Sequence, residues 1–318
     1  GAGVTVTATN AALGRLGINT LGGDDLVTVN ESGGLIAPLI TFDGGSGSDA
    51  LAVTGTTQVA NASYTPGPSV TEGRLRYDTM TIDFVNLEPV YDNVLATNFT
   101  VNATNANNAI NYTAGPRTAA VFAAVAATGL VSIDGFETIE FANKGTLILD
   151  GLAGDDDVQL RNGTTPDGLT GITVRGGDPT ASDSLTVNGL IAGPVTVNHT
   201  GVTTGTIMGA EPVTVTYNTI EQLNVWAGIS TSLAVTGSTA GYIVNPGAEA
   251  DQGDVLSSGI PIAFDGYGDG ETINLSGDGA TTVVVNGTAN NDVFTVTANN
   301  NVTITGRAHV VNAAGSTV

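Results

Sequence analysis

The 318-residue chain has no cysteine, which excludes disulfides and thiolate metal centres and leaves packing, hydrogen bonds or oxygen-bound ions to hold it together. Basic residues are nearly as scarce. Eight Lys plus Arg, with Lys144 the only lysine, stand against thirty Asp plus Glu, for a formal net charge of -22. Such a surface repels phosphate backbones and anionic lipid, so nucleic-acid and membrane-surface roles are disfavoured, and no apolar run is long enough to cross a bilayer. Aromatic residues make up 5% and charged residues 12%, yet hydrophobic residues reach 41% and the mean hydropathy is +0.19, so this is no disordered acidic tail. The chain can bury a core. The two histidines, His199 and His309, stand in no metal-spaced or triad-like setting, and the expectation is a surface or corner position for each and no enzyme.

What is abundant is glycine, 44 residues, together with Thr, Val, Asn and Ala, the composition of short strands punctuated by turns. The one helix-compatible stretch is Thr118 to Ala127. Landmarks recur after about 133 positions. Ile40-Thr41 before Gly44-Gly45 returns as Ile172-Thr173 before Gly176-Gly177, Glu137-Thr-Ile139 as Glu271-Thr-Ile273, and Gly151-Leu-Ala-Gly-Asp-Asp156 as Gly287-Thr-Ala-Asn-Asn-Asp292. The division expected is the end of a preceding copy at 1–39, full copies at 40–171 and 172–303, and the start of another at 304–318. Opening without Met on the tail of a copy, the chain reads as a piece of a longer secreted polypeptide.

Two patterns tile each copy. One runs acid, any, apolar, any, apolar, any, glycine, as in Asp49 with Leu51, Val53 and Gly55, and Asp183 with Leu185, Val187 and Gly189. Alternation at period two places the apolar residues on one face of a strand, and the glycine closes a corner. The other centres on Glu88, Glu137 and Glu221, each expected to be an outward or corner carboxylate accepting backbone N–H groups. These units predict an all-β fold, an elongated parallel β-solenoid or β-helix-like repeat array, with tandem β-sandwich modules as the alternative. Against the solenoid, spacings alternate near 50 and near 84 residues. Leu51, Val53, Leu185, Val187, Phe294 and Val296 are expected in the core.

Gly44-Gly45-Ser46-Gly47-Ser48-Asp49-Ala50-Leu51-Ala52 fits a G-G-x-G-x-D-x-U-x nonapeptide, and the stretch resembles the RTX-type calcium-binding repeats of secreted bacterial proteins. Gly151 to Gln159 and Gly287 to Thr295 are degraded versions. The resemblance implies calcium held by turn carbonyls and aspartate. With oxygen-ligand chemistry it makes Asp24, Asp25, Asp43, Asp49, Asp155, Asp156, Asp157 and Asp292 the candidate ligands of a weak calcium site, the bland alternative being turn caps. More broadly, the chain looks like the long low-complexity repeat proteins that bacteria place outside the cell. That implies an extracellular or cell-surface structural component, with a calcium-stabilised adhesin or carbohydrate-binding module as the alternative and a polysaccharide-active β-helix enzyme a distant third. Val4-Thr-Val6 and Phe294-Thr-Val296 lie in similar segments near the two ends, so Val4, Val6, Phe294 and Val296 are expected to carry end-to-end self-association, with surface glycans as a second class of partner.

Overall fold

A computed structural model describes residues 14–178, 182–257, 260–277 and 281–313. The described residues form 29 strands and a single helix, the four residues Ala119–Phe122, inside the stretch that composition marked out. Phe122 anchors it against Val125 and Ala142. No helix is long and apolar enough to cross a membrane among the described residues. The strands fall into two large, mostly parallel sheets of 16 and 13 strands. By packing, the chain divides into two compact units, one of Gly1–Thr104, Gly115–Ile148 and Pro166–Leu169, the other of Asn105–Ala114, Leu149–Thr165 and Thr170–Val318.

In the first unit consecutive strands alternate between the sheets. Arg15–Asn19 and Leu39–Asp43 lie in one, Leu26–Asn30 and Ala50–Thr54 in the other. Arg15 pairs with Leu39 and Leu26 with Ala50, both in parallel, an advance of 24 residues in each sheet. At the next step the chain lays down three antiparallel strands in the first sheet, Val59–Pro66, Gly73–Tyr77 and Met80–Val85, before it crosses back to Val90–Asn93 in the second. Ile40 therefore pairs with Ile82, and the step is much longer. The uneven spacing of the patterns in sequence has this cause: some steps place one strand in a sheet and others place an antiparallel meander.

The second unit follows the same rule of alternation, with meanders at Gly193–His199, Gly205–Met208 and Thr214–Asn218, and at Tyr242–Pro246, Gly253–Leu256 and Pro261–Asp265. Parallel pairing without slippage stacks like on like. Val158, Leu185, Leu223 and Ile262 stand in one column, and Leu160, Val187, Val225 and Phe264 in the next, all of them buried. Leu51 and Val53 are equally buried in the first unit. Phe294 and Val296 correct the expectation, being 43% and 60% exposed: their strand, Phe294–Val296, is the outermost of its sheet, hydrogen-bonded on one side to Asn301–Ile304. Alternation put them on a common face, but no neighbouring strand among the described residues covers it.

Candidate functional site

The aspartates singled out in the sequence, with Glu88 and Glu221, stand at corners, where a strand of one sheet gives way to a strand of the other, whereas Glu137 lies in the hairpin between Gly129–Ile133 and Ile139–Phe141 of a single sheet. At a corner a backbone N–H loses its ladder partner and a side chain must replace it. In the first unit Asp25 N–H donates to Asp49 Oδ1 at 2.9 Å, and Ser48 N–H to Asp24 Oδ1 at 2.9 Å. In the second unit the same device runs through four corners. Asn108 N–H donates to Asp156 Oδ1 at 2.8 Å, Asp156 N–H to Asp183 Oδ1 at 2.9 Å, and Asp183 N–H to Glu221 Oε2 at 3.0 Å. Beside it Asp155 N–H donates to Asn107 Oδ1 and Ser182 N–H to Asp155 Oδ1. Glu221 thus accepts a backbone amide, as its pattern suggested. Burial pushes the Asp183 carboxyl pKa upward, opposed by the Asp156 amide.

The glycines of the motif make room for these acids. A Cβ on Gly176 would lie 2.3 Å from Asp183 Oδ2 and 1.9 Å from the Thr219 carbonyl oxygen, and one on Gly151 would lie 2.4 Å from Asp156 Oδ2. Glycine and aspartate recur together because the carboxylate occupies the space a side chain would fill. Asp43 accepts Gly45 N–H and the Asn86 amide, Asp157 accepts Gln159 and Ser184, and Asp292 accepts the N–H and hydroxyl of Thr288. Seven of the eight candidate aspartates so accept from a protein donor, Asp25 contributing its N–H instead. No group of three or more His, Cys, Asp or Glu that could hold a metal exists among the described residues.

The histidines are buried, not at the surface. His199 Nδ1 meets the Tyr217 hydroxyl at 2.8 Å, and His309 packs edge-on against Phe264. Burial lowers both pKa values, which favours the neutral imidazole at each. The Arg74–Arg76 pair stands on the outward face of its strand, with Leu75 and Tyr77 inward. It lines a cleft of about 590 Å³ with Ser63, Thr65 and Asp83, where Arg74 Nε meets Asp83 Oδ1 at 2.6 Å and Nη2 meets Oδ2 at 3.0 Å. The guanidinium is neutralised by its neighbour, which leaves the cleft without a free bidentate anion clamp at Arg74.

Two buried features escaped the sequence reading. Lys144 Nζ lies 2.6 Å from Asp92 Oδ1 with both side chains at 0% exposure. The unusual status of Lys144 as the sole lysine was the only signal, and nothing local pointed to Asp92. In the second unit Glu211 is buried with Oε1 accepting Asn162 N–H, and burial raises its carboxyl to about 8. Of the four assembly residues, Phe294 and Val296 are exposed, while Val4 and Val6 lie outside the described residues. Compared with known protein families and with curated proteins, the chain matches none.

Proposed function

We propose that this chain is a non-catalytic structural β-repeat protein of the extracellular or cell-surface kind, a β-solenoid that associates with further copies strand to strand. The observation that carries the reading is the outermost strand Phe294–Val296. It offers Phe294 and Val296 to solvent, at 43% and 60% exposure, with Val293 just before it at 62%, and its backbone is hydrogen-bonded on one side only among the described residues. Outer strands that stay solitary carry charge, proline or a covering element, and none of the three residues of this strand is charged or proline. The occupant proposed is a second copy of the chain, added head to tail, which makes an open contact instead of a closed dimer. The alternation of strands between two parallel sheets, the columns of identical character and the corner ladders support the solenoid reading, since each step can be followed by another of its kind.

Electron microscopy and light scattering across a concentration series test it. Wild-type protein is expected to form linear assemblies, and Val296→Lys, which places a charge on the outer strand, is expected to remain monomeric with unchanged thermal stability. Wild-type protein that stays monomeric at high concentration overturns the proposal.

A further inference from the structure

We propose that Lys144 and Asp92 form an intramolecular amide cross-link, made by the fold itself, which ties the strand Lys144–Asp150 of one sheet to the strand Val90–Asn93 of the other. The geometry is that of reactants held together. Nζ lies 2.6 Å from Oδ1, and the carboxyl carbon is one bond farther on. Both side chains have zero exposure, and the Phe99 ring covers Nζ at 5.4 Å from its centroid. The remaining partner of Nζ is the Val94 carbonyl.

A stable buried ion pair needs its other lone pairs satisfied, because both charges have lost their water. Here they are not. Glu31 Oε2 is buried without a hydrogen-bond partner among the described residues, and the one group beside Asp92 Oδ2 is the buried Tyr77 hydroxyl, whose contact with Asp92 falls short of good hydrogen-bond geometry. Burial draws the Lys144 amine toward its neutral, nucleophilic form, with Asp92 and Glu31 opposing.

Proton transfer from Nζ to Asp92 leaves a neutral amine against a neutral carboxylic acid. The Nζ lone pair attacks Cγ, a C–N bond forms, and one C–O bond breaks. The departing hydroxyl takes one hydrogen from Nζ and leaves as water. Nothing is oxidised or reduced, and no co-reactant is required. Glu31, buried and electrostatically coupled to both Lys144 and Tyr77, is the group placed to relay that hydrogen. The product suits the pocket better than the reactants do. Its single N–H can donate to the Val94 carbonyl, its oxygen can accept from Val94 N–H, which already donates to Asp92 at 3.1 Å, and both buried charges are gone.

Because Lys144 is the only lysine, the test is direct. The intact folded protein is expected to weigh one water less than its sequence. Unfolded in denaturant and treated with a protease that cuts only after lysine, it is expected to stay in one piece, since an acylated lysine is not recognised. Fragment spectra would place the branch between Lys144 and Asp92. Lys144→Arg, which keeps the charge but cannot make this amide, is expected at its full sequence mass. Wild-type protein that has its full mass and is cut in two at Lys144 overturns the proposal, and this measurement needs no variant to fold. A water loss that persists in Lys144→Arg also overturns it, by assigning the loss to cyclisation at an Asp-Gly pair such as Asp134-Gly135.

Discussion

Gly176 shapes its corner by having no side chain. Its backbone is not in the left-handed region, so the requirement is one of space: a Cβ would meet both the Thr219 carbonyl oxygen and Asp183 Oδ2 well inside contact distance. Gly176→Ala is expected to destabilise the protein by about 1–3 kcal/mol in chemical denaturation, the usual range for overpacking. Gly268→Ala, where a Cβ would meet nothing within 4 Å, is expected to be neutral by comparison. Equal effects at the two sites would show that the corner relaxes. Glu211 makes a second prediction. Burial raises its carboxyl from 4.5 to about 8, so the fold favours the protonated acid. Its contribution to stability is full below the unfolded-state value and is lost as pH rises through about 8. Glu137 in the other unit, raised to about 7 by burial and by Glu88, acts in the same direction. The unfolding midpoint is expected to fall from about pH 5 to about pH 8. Glu211→Gln, which keeps the acceptor for Asn162 N–H but carries no charge, is expected to flatten that slope. An unchanged slope would exclude Glu211 as its source.

Strands and steps show what the sequence could and could not reveal. Period-two alternation identified the inward residues of Ala50–Thr54 and Ser184–Asn188, because a pleated strand has only two faces and one of them here is apolar. It misplaced Phe294 and Val296, since alternation reports which residues share a face and not whether anything covers it. Leu185→Ala is therefore expected to cost about 2–5 kcal/mol, whereas Phe294→Thr is expected to change stability by no more than about 0.5 kcal/mol, both read from denaturant midpoints. A large loss from Phe294→Thr would mean that its strand is packed in solution. Repetition in sequence also says less than it promises about sheet membership. Glu137-Thr-Ile139 and Glu271-Thr-Ile273 match, yet Ile139 pairs with Val90 in one sheet and Ile273 pairs with Leu233 in the other. A short strand carries no mark of which sheet receives it; the lengths of the intervening meanders decide. For the same reason the pairing of Lys144 with Asp92, 52 residues apart, was invisible in the sequence. Asp43, which accepts Gly45 N–H two residues on, fits the local turn cap that the sequence offered as an alternative to calcium, but Asp24, Asp49, Asp155 and Asp156 accept from amides 24 to 48 residues away on a neighbouring step, and sequence spacing carries no sign of such partners.

Across the whole molecule the dominant physical quantity is charge. Copies carrying -22 each repel one another, and the strand-to-strand association proposed above would have to overcome that repulsion through apolar contact and backbone hydrogen bonds at the outer strand. Raising ionic strength from about 0.01 M to about 0.15 M shortens the screening length from roughly 30 Å to roughly 8 Å, which removes most of the long-range repulsion and leaves contacts at the strand itself almost untouched. Association is therefore expected to strengthen with salt, read as an increase in assembly mass by light scattering at fixed protein concentration, and Val296→Lys is expected to stay monomeric throughout. Association that weakens with added salt would mean that complementary charges hold the copies together. The few basic groups on the chain would then have to be the contact, and the apolar outer strand would not.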